Sequence, residues 1–379
     1  MTRSQIRTHV RHAMLAGALA CGLGHSGAAD ESTRETAGAV RLVDEGGVCD
    51  GVMDNSPALA RALARASKLR LPVLIPAGRC AYADIIRVDA VTLIGSGPHS
   101  VLHALDWRRS AIFMLGAAPR VSNLRLTGVA APSRQADWEM TRITVFGATD
   151  FVIDGVTIEG AAAAGIQTAD GAKRGRITNN VVRNTLSDGM HLSGAASDVL
   201  VQGNLVESTG DDGIAVVSYW NEDRVSNITA RDNVVRNNRS GRNMSVVGGS
   251  HVLYENNLLQ NNLAGLACLY IAQEQRGSTT RGSSDITARR NTLEHCGGKS
   301  SHAAVMLFSD GLELNERIRL VENDIRPSGQ VGIRIFSRFN IDVQLDSNRV
   351  TGATRPLDVR DSSVRVVPYT SGPVGYARP

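Results

Sequence analysis

Apolar and polar residues alternate with a period of two over short segments of the chain, as in MHLSG, VLVQGN and IAVVS. Helical periodicity is nearly absent from these segments, so they predict short β-strands with one apolar face. A polar corner followed by such a strand occurs three times near the middle, in SDGMHLSG, STGDDGIAVVS and GRNMSVVGG. The pattern predicts repeated units of two or three strands each.

A recurring Asn, followed within two positions by an apolar residue, marks the repeat in steps of 24 to 34 residues. Asn and Gly both tolerate a left-handed backbone, and stacked Asn side chains can hydrogen-bond to the coils above and below. The steps are too variable for a helical-pair repeat. The frame occupies Asn123, Asn180, Asn204, Asn233, Asn257, Asn291, Asn323 and Asn348, with Gly155 once in the same place.

These units predict an all-β fold, a parallel β-helix in which each repeat forms one turn around an apolar core. About ten coils are expected between Val88 and Ala353. A β-propeller would need about four antiparallel strands per blade, and the hairpin turns it requires are mostly missing. An Ala/Leu-rich helix from Ser56, a candidate N-cap, to about Leu69 is expected to cover the N-terminal end of the core.

The expected organisation is a signal peptide at 1–29 and a single β-helix domain at 30–379. Within that domain we expect an N-terminal cap at about 40–85, coils at about 86–353 and a C-terminal cap at about 354–379. Three Arg residues precede a short apolar run and a small-residue cleavage site, which is typical of a secretory signal. Cys21 offers an alternative, a lipoprotein anchor. The mature protein is therefore expected in the periplasm or outside the cell.

The formal charge of +4 falls to +1 when the three Arg residues of 1–29 are removed. The chain lacks a basic block with interleaved aromatic residues, so we expect no nucleic-acid partner. No other apolar run is long enough to span a membrane. The sequence does not indicate an oligomeric state.

Four cysteines follow the predicted signal peptide, an even number that permits two disulfides in an oxidising compartment. The local pairing is Cys49–Cys80 and Cys268–Cys296, each about one repeat apart. Buried free thiols are the alternative for the second pair, since Cys268 lies in an apolar strand. None of the spacings matches a zinc site, and we expect no cofactor unless the reaction is a calcium-dependent elimination.

Alignment of the coils on their first strand places Asp188, Asp212 and Arg242 at the same corner of three consecutive coils, with Asp211 beside them. Stacked carboxylates repel each other, which raises the pKa of one and leaves another ionised, as an acid/base pair requires. Asp-Gly is also good turn chemistry, so a structural role is the alternative for a single Asp. The next coil is aligned through Ala264–Ala267.

Other side chains are candidates for substrate binding around these carboxylates. His191 and Ser245 are expected to share one outward-facing column of the same sheet. Tyr219 and Trp220 follow the GDD strand and could contact a sugar, and the insertion 273–284 could form a wall of the cleft.

The stretches CDGVMDNSPALARALARA and LPVLIPAG resemble the start of pectate-lyase-superfamily proteins, which implies a right-handed parallel β-helix. The central stretch resembles polygalacturonase-type glycoside hydrolases, with Ser187-Asp188-Gly189 at the NTD place and Gly210-Asp211-Asp212-Gly213 at the GDD place. Gly241-Arg242-Asn243 stands where the family has GHG. The resemblance implies Asp211 as general acid, Asp188 and Asp212 as residues that hold and activate water, and an inverting reaction.

The leading functional prediction is an exported carbohydrate-active enzyme, a glycoside hydrolase that acts on a polysaccharide or oligosaccharide through Asp188, Asp211 and Asp212. The first alternative is a polysaccharide lyase or uronate C5-epimerase, with Arg242, His191 and Tyr219 as reacting groups and calcium held by Asp211 and Asp212. The second alternative is a non-catalytic envelope β-helix that binds glycans or another protein. A β-helix hosts many chemistries, so fold alone does not decide among them.

Overall fold

A computed structural model describes residues 38–275, 277–299, 301–360 and 364–367 of the 379-residue chain. The predicted signal peptide and the lipoprotein site at Cys21 lie outside the described residues. The strands and helices below lie in one compact unit that begins at Val40. Within the described residues, no helix is long and apolar enough to cross a membrane.

Three parallel sheets, with one strand of each in most turns of the chain, build the fold. The first sheet has 13 strands: Val40–Arg41, Val73–Ile75, Thr92–Gly95, Arg120–Ser122, Val152–Asp154, Lys173–Thr178, Ser197–Gln202, Ser226–Arg231, Ser250–Glu255, Ser284–Arg289, Asn315–Val321, Asn340–Asp346 and Val364–Val367.

The second sheet has 11 strands: Gly78–Tyr82, Ser100–Ala104, Arg125–Gly128, Thr157–Ala161, Val181–Thr185, Leu205–Glu207, Val234–Arg236, Leu258–Gln260, Thr292–Glu294, Asp324–Arg326 and Arg349–Val350. The third sheet also has 11: Ile86–Asp89, Ile112–Leu115, Ile143–Phe146, Ile166–Ala169, Met190–Leu192, Ile214–Val217, Met244–Val247, Leu269–Gln273, Val305–Ser309, Val331–Phe336 and Arg355–Arg360. Each strand pairs in parallel with its counterpart one coil away, which is the predicted parallel β-helix.

The predicted caps differ from the structure at both ends. Strands Val73–Ile75 and Gly78–Tyr82, placed in the N-terminal cap, already belong to the first and second sheets. Strands Arg355–Arg360 and Val364–Val367, placed in the C-terminal cap, continue the third and first sheets. The coils therefore extend past residue 353, because the alternating pattern of PLDVR and VRVV still fits a strand.

The α-helix Ser56–Leu69 packs its small apolar face against the first coil, on strands Val40–Arg41, Val73–Ile75 and Ile86–Asp89. It starts one residue earlier than a Ser56 cap implies, since Asn55 holds the cap position. The Asn55 side chain instead ties Val48 to Ala81. Short 3₁₀ helices span Leu42–Glu45, Trp107–Arg109 and Trp138–Met140.

An asparagine ladder runs inside the corner between the first and second sheets, from Asn180 to Asn348. In each step the backbone N–H and the side-chain amide of one Asn both donate to Oδ1 of the Asn one coil later, at 2.8–3.1 Å. The residue before each ladder position has a left-handed backbone.

The predicted frame was wrong by one position at Asn123 and Gly155. Both have positive φ and lie in the left-handed column, while the position in line with the ladder is Val156 in the Gly155 coil. The left-handed backbone and the stacked amides thus belong to two adjacent positions of each coil. The sequence pattern treated these two positions as one.

Candidate functional site

The corner between the second and third sheets gathers the charged residues. Met190, Ile214 and Met244 are paired in register on adjacent strands, so the residues two positions earlier, Asp188, Asp212 and Arg242, follow one another along this corner. Asp211 precedes Asp212 in the same corner. The structure thereby brings together the charged residues that the alignment selected.

Glycine after each Asp allows the coils to approach closely here. A Cβ at Gly189 would lie 2.3 Å from Val206 Cγ1 and 2.6 Å from the Gly213 carbonyl oxygen. A Cβ at Gly213 would meet the next coil in the same way, at 2.5 Å from the Asn243 oxygen. The Asp-Gly pairs therefore serve the turn, and the turn places the two carboxyl groups on adjacent coils.

Asp188 forms a pair with His191, whose Nδ1 lies 2.9 Å from Asp188 Oδ2. Both side chains are largely buried. Burial lowers the pKa of His191, but the Asp188, Asp212 and Asp211 carboxylates outweigh it, so the pKa lies above its usual value. The imidazole is therefore stabilised as a cation among the carboxylates.

Tyr219 lies beside His191, near the ring nitrogen that does not contact Asp188. Its hydroxyl lies 3.5 Å from His191 Nε2, and the two rings are nearly parallel with centroids 6.4 Å apart. Burial and the charge of Asp188 raise the pKa of Tyr219 to about 12. Asp188, His191 and Tyr219 thus form a connected row of polar groups.

Asp212 is the most enclosed carboxyl group of the site, with 7% of its side chain exposed. Oδ1 accepts the Arg242 backbone N–H at 2.6 Å, and Oδ2 accepts the Ser245 hydroxyl at 2.5 Å. Burial raises the pKa of Asp212 to about 6, with Asp211 and Asp188 adding to the rise and Arg242 opposing it. Asp212 can therefore take up or release a proton near neutral pH.

Asp211 is more accessible, with 25% of its side chain exposed, and its Oδ2 lies 2.5 Å from the Arg134 guanidinium. Burial and the neighbouring Asp188 raise the pKa of Asp211, although Arg134 and Arg242 pull it down. A carboxyl group with a raised pKa keeps its proton to a higher pH than a free aspartic acid does. Asp211 is the member whose position leaves it open to a substrate.

Arg242 is held by groups that the sequence alignment missed. Its guanidinium donates to Glu274 Oε1 at 2.6 Å and lies 4.0 Å from the centroid of the Tyr270 ring. Burial opposes the charge, but Asp212, Tyr270 and Glu274 outweigh it, so the pKa of Arg242 is raised further. Arg242 therefore stays a cation that balances the buried Asp212.

The predicted alignment of Ala264–Ala267 with this corner was wrong by three positions. Leu269 pairs with Met244 and Tyr270 pairs with Ser245, so the strand of that coil is Leu269–Gln273. Ala264 and Gly265 lie in a turn before it. The alternation of Leu269 and Ile271 was the available signal for this strand, and it would have placed Tyr270 in the outward column of His191 and Ser245.

The segment after Gln273 forms one wall beside Tyr219. Tyr219 and Thr280 form an antiparallel bridge, and the Trp220 N–H donates to the Thr279 carbonyl oxygen at 3.0 Å. The guanidinium of Arg281 lies over the Trp220 ring, which is 45% exposed. Trp220 therefore belongs to the wall, and Tyr219 faces the carboxylates.

The cysteines pair as Cys49–Cys80 and Cys268–Cys296. Each bond joins neighbouring coils, and Cys268 directly precedes the strand Leu269–Gln273 that carries Tyr270. Paired cysteines are typical of an oxidising compartment.

The donor set at the corner does not fit the calcium ion of the lyase alternative. Asp211 and Asp212 already contact Arg134, Arg242 and Ser245, and two arginines supply the positive charge. Over the described ranges, no group of three His, Cys, Asp or Glu residues is arranged to hold a metal ion.

A family model described as "Right handed beta helix region" matches residues 99–222. A comparison with curated protein sequences gives no match. Together with the three parallel sheets, the family match confirms the predicted right-handed parallel β-helix.

Solved structures with the same fold include the A-module of the mannuronan C-5 epimerase AlgE4 from Azotobacter vinelandii, at 17% identity and a TM-score of 0.60, covering 86% of this chain and 99% of that one. The catalytic unit of a GH87 α-1,3-glucanase from Streptomyces thermodiastaticus gives 17% identity and a TM-score of 0.68, with coverages of 87% and 68%.

Two further structures are of a GH87 α-1,3-glucanase catalytic domain with an Asp→Ala substitution, one bound to tetrasaccharides and one to nigerose. Each has 15% identity and a TM-score of 0.59, and covers 84% of this chain. The chain covers 66% and 65% of these two structures. At these identities the likeness establishes the fold.

Proposed function

We propose that this protein is an exported carbohydrate-active enzyme, a glycoside hydrolase that cleaves a polysaccharide at the corner of Asp188, Asp211 and Asp212. The observation that carries the proposal is the stacking of Asp188 and Asp212 on adjacent coils with Asp211 beside them, where burial raises the pKa values of Asp211 and Asp212. Glycoside hydrolysis needs one carboxylic acid and one carboxylate near the same bond.

The spacing of the aspartates supports this assignment. The substituted aspartates in the two α-1,3-glucanase variants lie 24 positions apart in their own chain, and Asp188 and Asp212 are also separated by 24 (212 − 188). The repeats of this chain measure 24 to 34 residues, so a separation of 24 fits residues that lie one coil apart.

Accessibility decides the roles within the cluster. Asp211, the more exposed carboxyl group, gives its proton to the glycosidic oxygen as the bond to the anomeric carbon breaks. Asp212, fixed by Arg242 and Ser245, takes a proton from the attacking water, whose oxygen bonds to the anomeric carbon. Each carboxylate oxygen accepts more than one hydrogen bond, so the existing contacts of Asp212 leave room for water. Asp188, oriented by His191, holds that water.

The charges around the cluster favour a neutral sugar. Arg242 is paired with Asp212 and Glu274, and Arg134 is paired with Asp211. A uronate carboxylate would have to compete with these acidic partners for either guanidinium. We therefore place neutral glucans first among the substrates.

The row Asp188–His191–Tyr219 supports a second candidate, a lyase or uronate C5-epimerase. The Tyr219 phenol, once ionised, could remove the proton from C5, and the cationic His191 imidazole could return a proton. The fold similarity to a mannuronan C-5 epimerase is consistent with this alternative.

One assay separates the candidates. The protein is incubated with neutral and acidic polysaccharides, and new reducing ends, ultraviolet absorbance of unsaturated uronates and C5 configuration are measured together. Asp211→Asn is run alongside Asp150→Asn, which removes an exposed surface carboxylate paired with Arg174.

The hydrolase proposal expects reducing ends without ultraviolet absorbance, lost by at least ~100-fold in Asp211→Asn and retained in Asp150→Asn. Absorbance, or a change of configuration at C5, would favour the second candidate. Binding of a glycan without any product, unaffected by Asp211→Asn, would instead support the non-catalytic envelope protein.

Export rests on the two disulfides and on the predicted signal peptide. Cell fractionation with a C-terminal tag tests it. Recovery of the protein in the cytoplasm with free thiols would contradict export, and retention in the membrane fraction that depends on Cys21 would support the lipoprotein alternative.

A further inference from the structure

Arg134 contacts Asp211 although it belongs to a distant coil. It lies in the segment 129–137, between strand Arg125–Gly128 and the 3₁₀ helix Trp138–Met140. The third-sheet strand of its own coil, Ile143–Phe146, is three strands away from Ile214–Val217, the strand after Asp211. Three strand spacings amount to roughly 14 Å along the axis.

Two coils lie between the coil of Arg134 and the coil of Asp211, and their corners between the second and third sheets are short, which leaves a path for the segment 129–137. They consist of residues 162–165 and 186–189, and the first is made of alanine and glycine. The Gln135 N–H donates to the Ala162 carbonyl oxygen at 2.8 Å, so the segment is anchored on that corner directly beside Arg134. The guanidinium then reaches Asp211 Oδ2 at 2.5 Å.

We propose that Arg134 is a positioning residue of the proposed hydrolase: the segment 129–137 delivers its guanidinium across two coils to hold and tune the carboxyl group of Asp211. The effect of Arg134 on catalysis rests on the proposed function, in which Asp211 is the proton donor. The contact itself is independent of the reaction.

The charges around Asp211 determine the direction of the effect. The titratable and charged groups that face it are Arg134, Asp188, Asp212, Arg242, His191 and Tyr219. Arg134 is half-exposed and supplies a cation from outside the corner, against the burial and the Asp188 charge that favour the protonated acid. Removal of Arg134 therefore leaves Asp211 protonated up to a higher pH.

The test measures the Asp211 carboxyl group directly and through the reaction. Carbon-13 NMR follows the titration of the Asp carboxyl groups in the wild type, Arg134→Ala and Arg134→Lys, with Asp211→Asn assigning the signal. The pH profile of kcat/KM is recorded for the same proteins on a cleaved substrate. Arg174→Ala is the matched control, since it removes a similarly exposed Arg that is paired with a more exposed Asp elsewhere on the surface.

We expect Arg134→Ala to raise the Asp211 titration midpoint, and the alkaline limb of kcat/KM, by about 0.5–1 pH unit, a reduced form of the usual effect because the pair is partly solvated. Arg134→Lys should shift both by less, and Arg174→Ala should shift neither. An unchanged Asp211 midpoint in Arg134→Ala overturns the inference whether or not the protein is a hydrolase. A shifted midpoint with an unchanged pH profile in an active hydrolase overturns the positioning role. If no substrate is cleaved, the NMR shift still supports the contact while the hydrolase proposal fails.

Discussion

Ser245→Ala removes one hydrogen bond from the buried carboxyl group of Asp212 and leaves the rest of the corner in place. The Ser245 hydroxyl is fully buried and donates to Asp212 Oδ2 at 2.5 Å. A hydrogen bond to a charged group contributes about 1.5–3 kcal/mol, and one pKa unit corresponds to about 1.36 kcal/mol. The pKa of Asp212, about 6 in the wild type, should therefore rise by about 1–2 units.

This rise in the pKa of Asp212 changes which of the two carboxyl groups, Asp211 or Asp212, carries the proton. In the reactive form Asp211 carries the proton and Asp212 is ionised, and Ser245→Ala favours the opposite arrangement. We expect kcat/KM at the optimum to fall by about 10-fold or more, since one unit corresponds to a factor of ten. Carbon-13 NMR of the carboxyl groups gives the titration midpoint, and initial rates give kcat/KM.

Ser193→Ala is the matched control, because this buried serine donates to the Thr168 carbonyl oxygen one coil away and touches no carboxylate. It should lower stability without moving the Asp212 midpoint. A shift below about 0.3 unit in Ser245→Ala, or an equal shift in Ser193→Ala, would refute the reasoning that the serine hydroxyl stabilises the ionised Asp212.

Three further predictions concern stability. The folded-state pKa of Asp212 lies above its ordinary 3.8, so its stabilising contribution is present below pH 4 and is lost as the pH rises through about 6. We expect this contribution to fall by about 3 kcal/mol over the window. Thermal melts measure it as the difference between the wild type and Asp212→Asn, which should lose less stability between pH 4 and pH 6. Asn233→Ala deprives both donors of Asn204 and the Val201 carbonyl oxygen of their partner, which should lower the free energy of unfolding in urea by about 3–5 kcal/mol. Gln202→Ala on the outer surface should change this free energy by less than about 0.5 kcal/mol. Equal losses in the two variants would contradict the importance of the ladder. Replacing Cys268 and Cys296 by Ser together should cost about 3 kcal/mol, and an unchanged midpoint of denaturation would show that the crosslink contributes nothing.

The sequence predicted the features of the fold that depend on local alternation. A period of two identifies strands, and equal corner residues align coils, so the parallel β-helix and the stacking of Asp188, Asp212 and Arg242 followed from the pattern alone. The ladder position was misjudged at Gly155 because Asn serves two adjacent columns, one for its left-handed backbone and one for its amide.

The site residues that could not be predicted from the sequence reach the site from segments outside the repeat. Arg134 and Glu274 lie in segments that interrupt the coils, and neither has a counterpart in neighbouring repeats with which to align it. Their contacts depend on how an inserted segment folds back over the surface. Tyr270 differs because its strand shows the normal alternation of apolar and polar residues. It was missed because a turn before the strand lengthens its coil and shifts the spacing used for the alignment.

The asparagine ladder gives the solenoid a direction. Every step has its donors on the earlier coil and its acceptor on the later one, so the amide dipoles all point the same way and reinforce each other. Loss of coils from the C-terminal end would leave a backbone N–H and an amide hydrogen of the last Asn without their acceptor. Loss from the N-terminal end would leave the Oδ1 of the first Asn without its donors, together with the second amide hydrogen, which donates to a carbonyl oxygen of the earlier coil. Buried N–H groups without partners are rarer in proteins than under-satisfied oxygens, so the two ends of the ladder are not equivalent places to lengthen or shorten this protein.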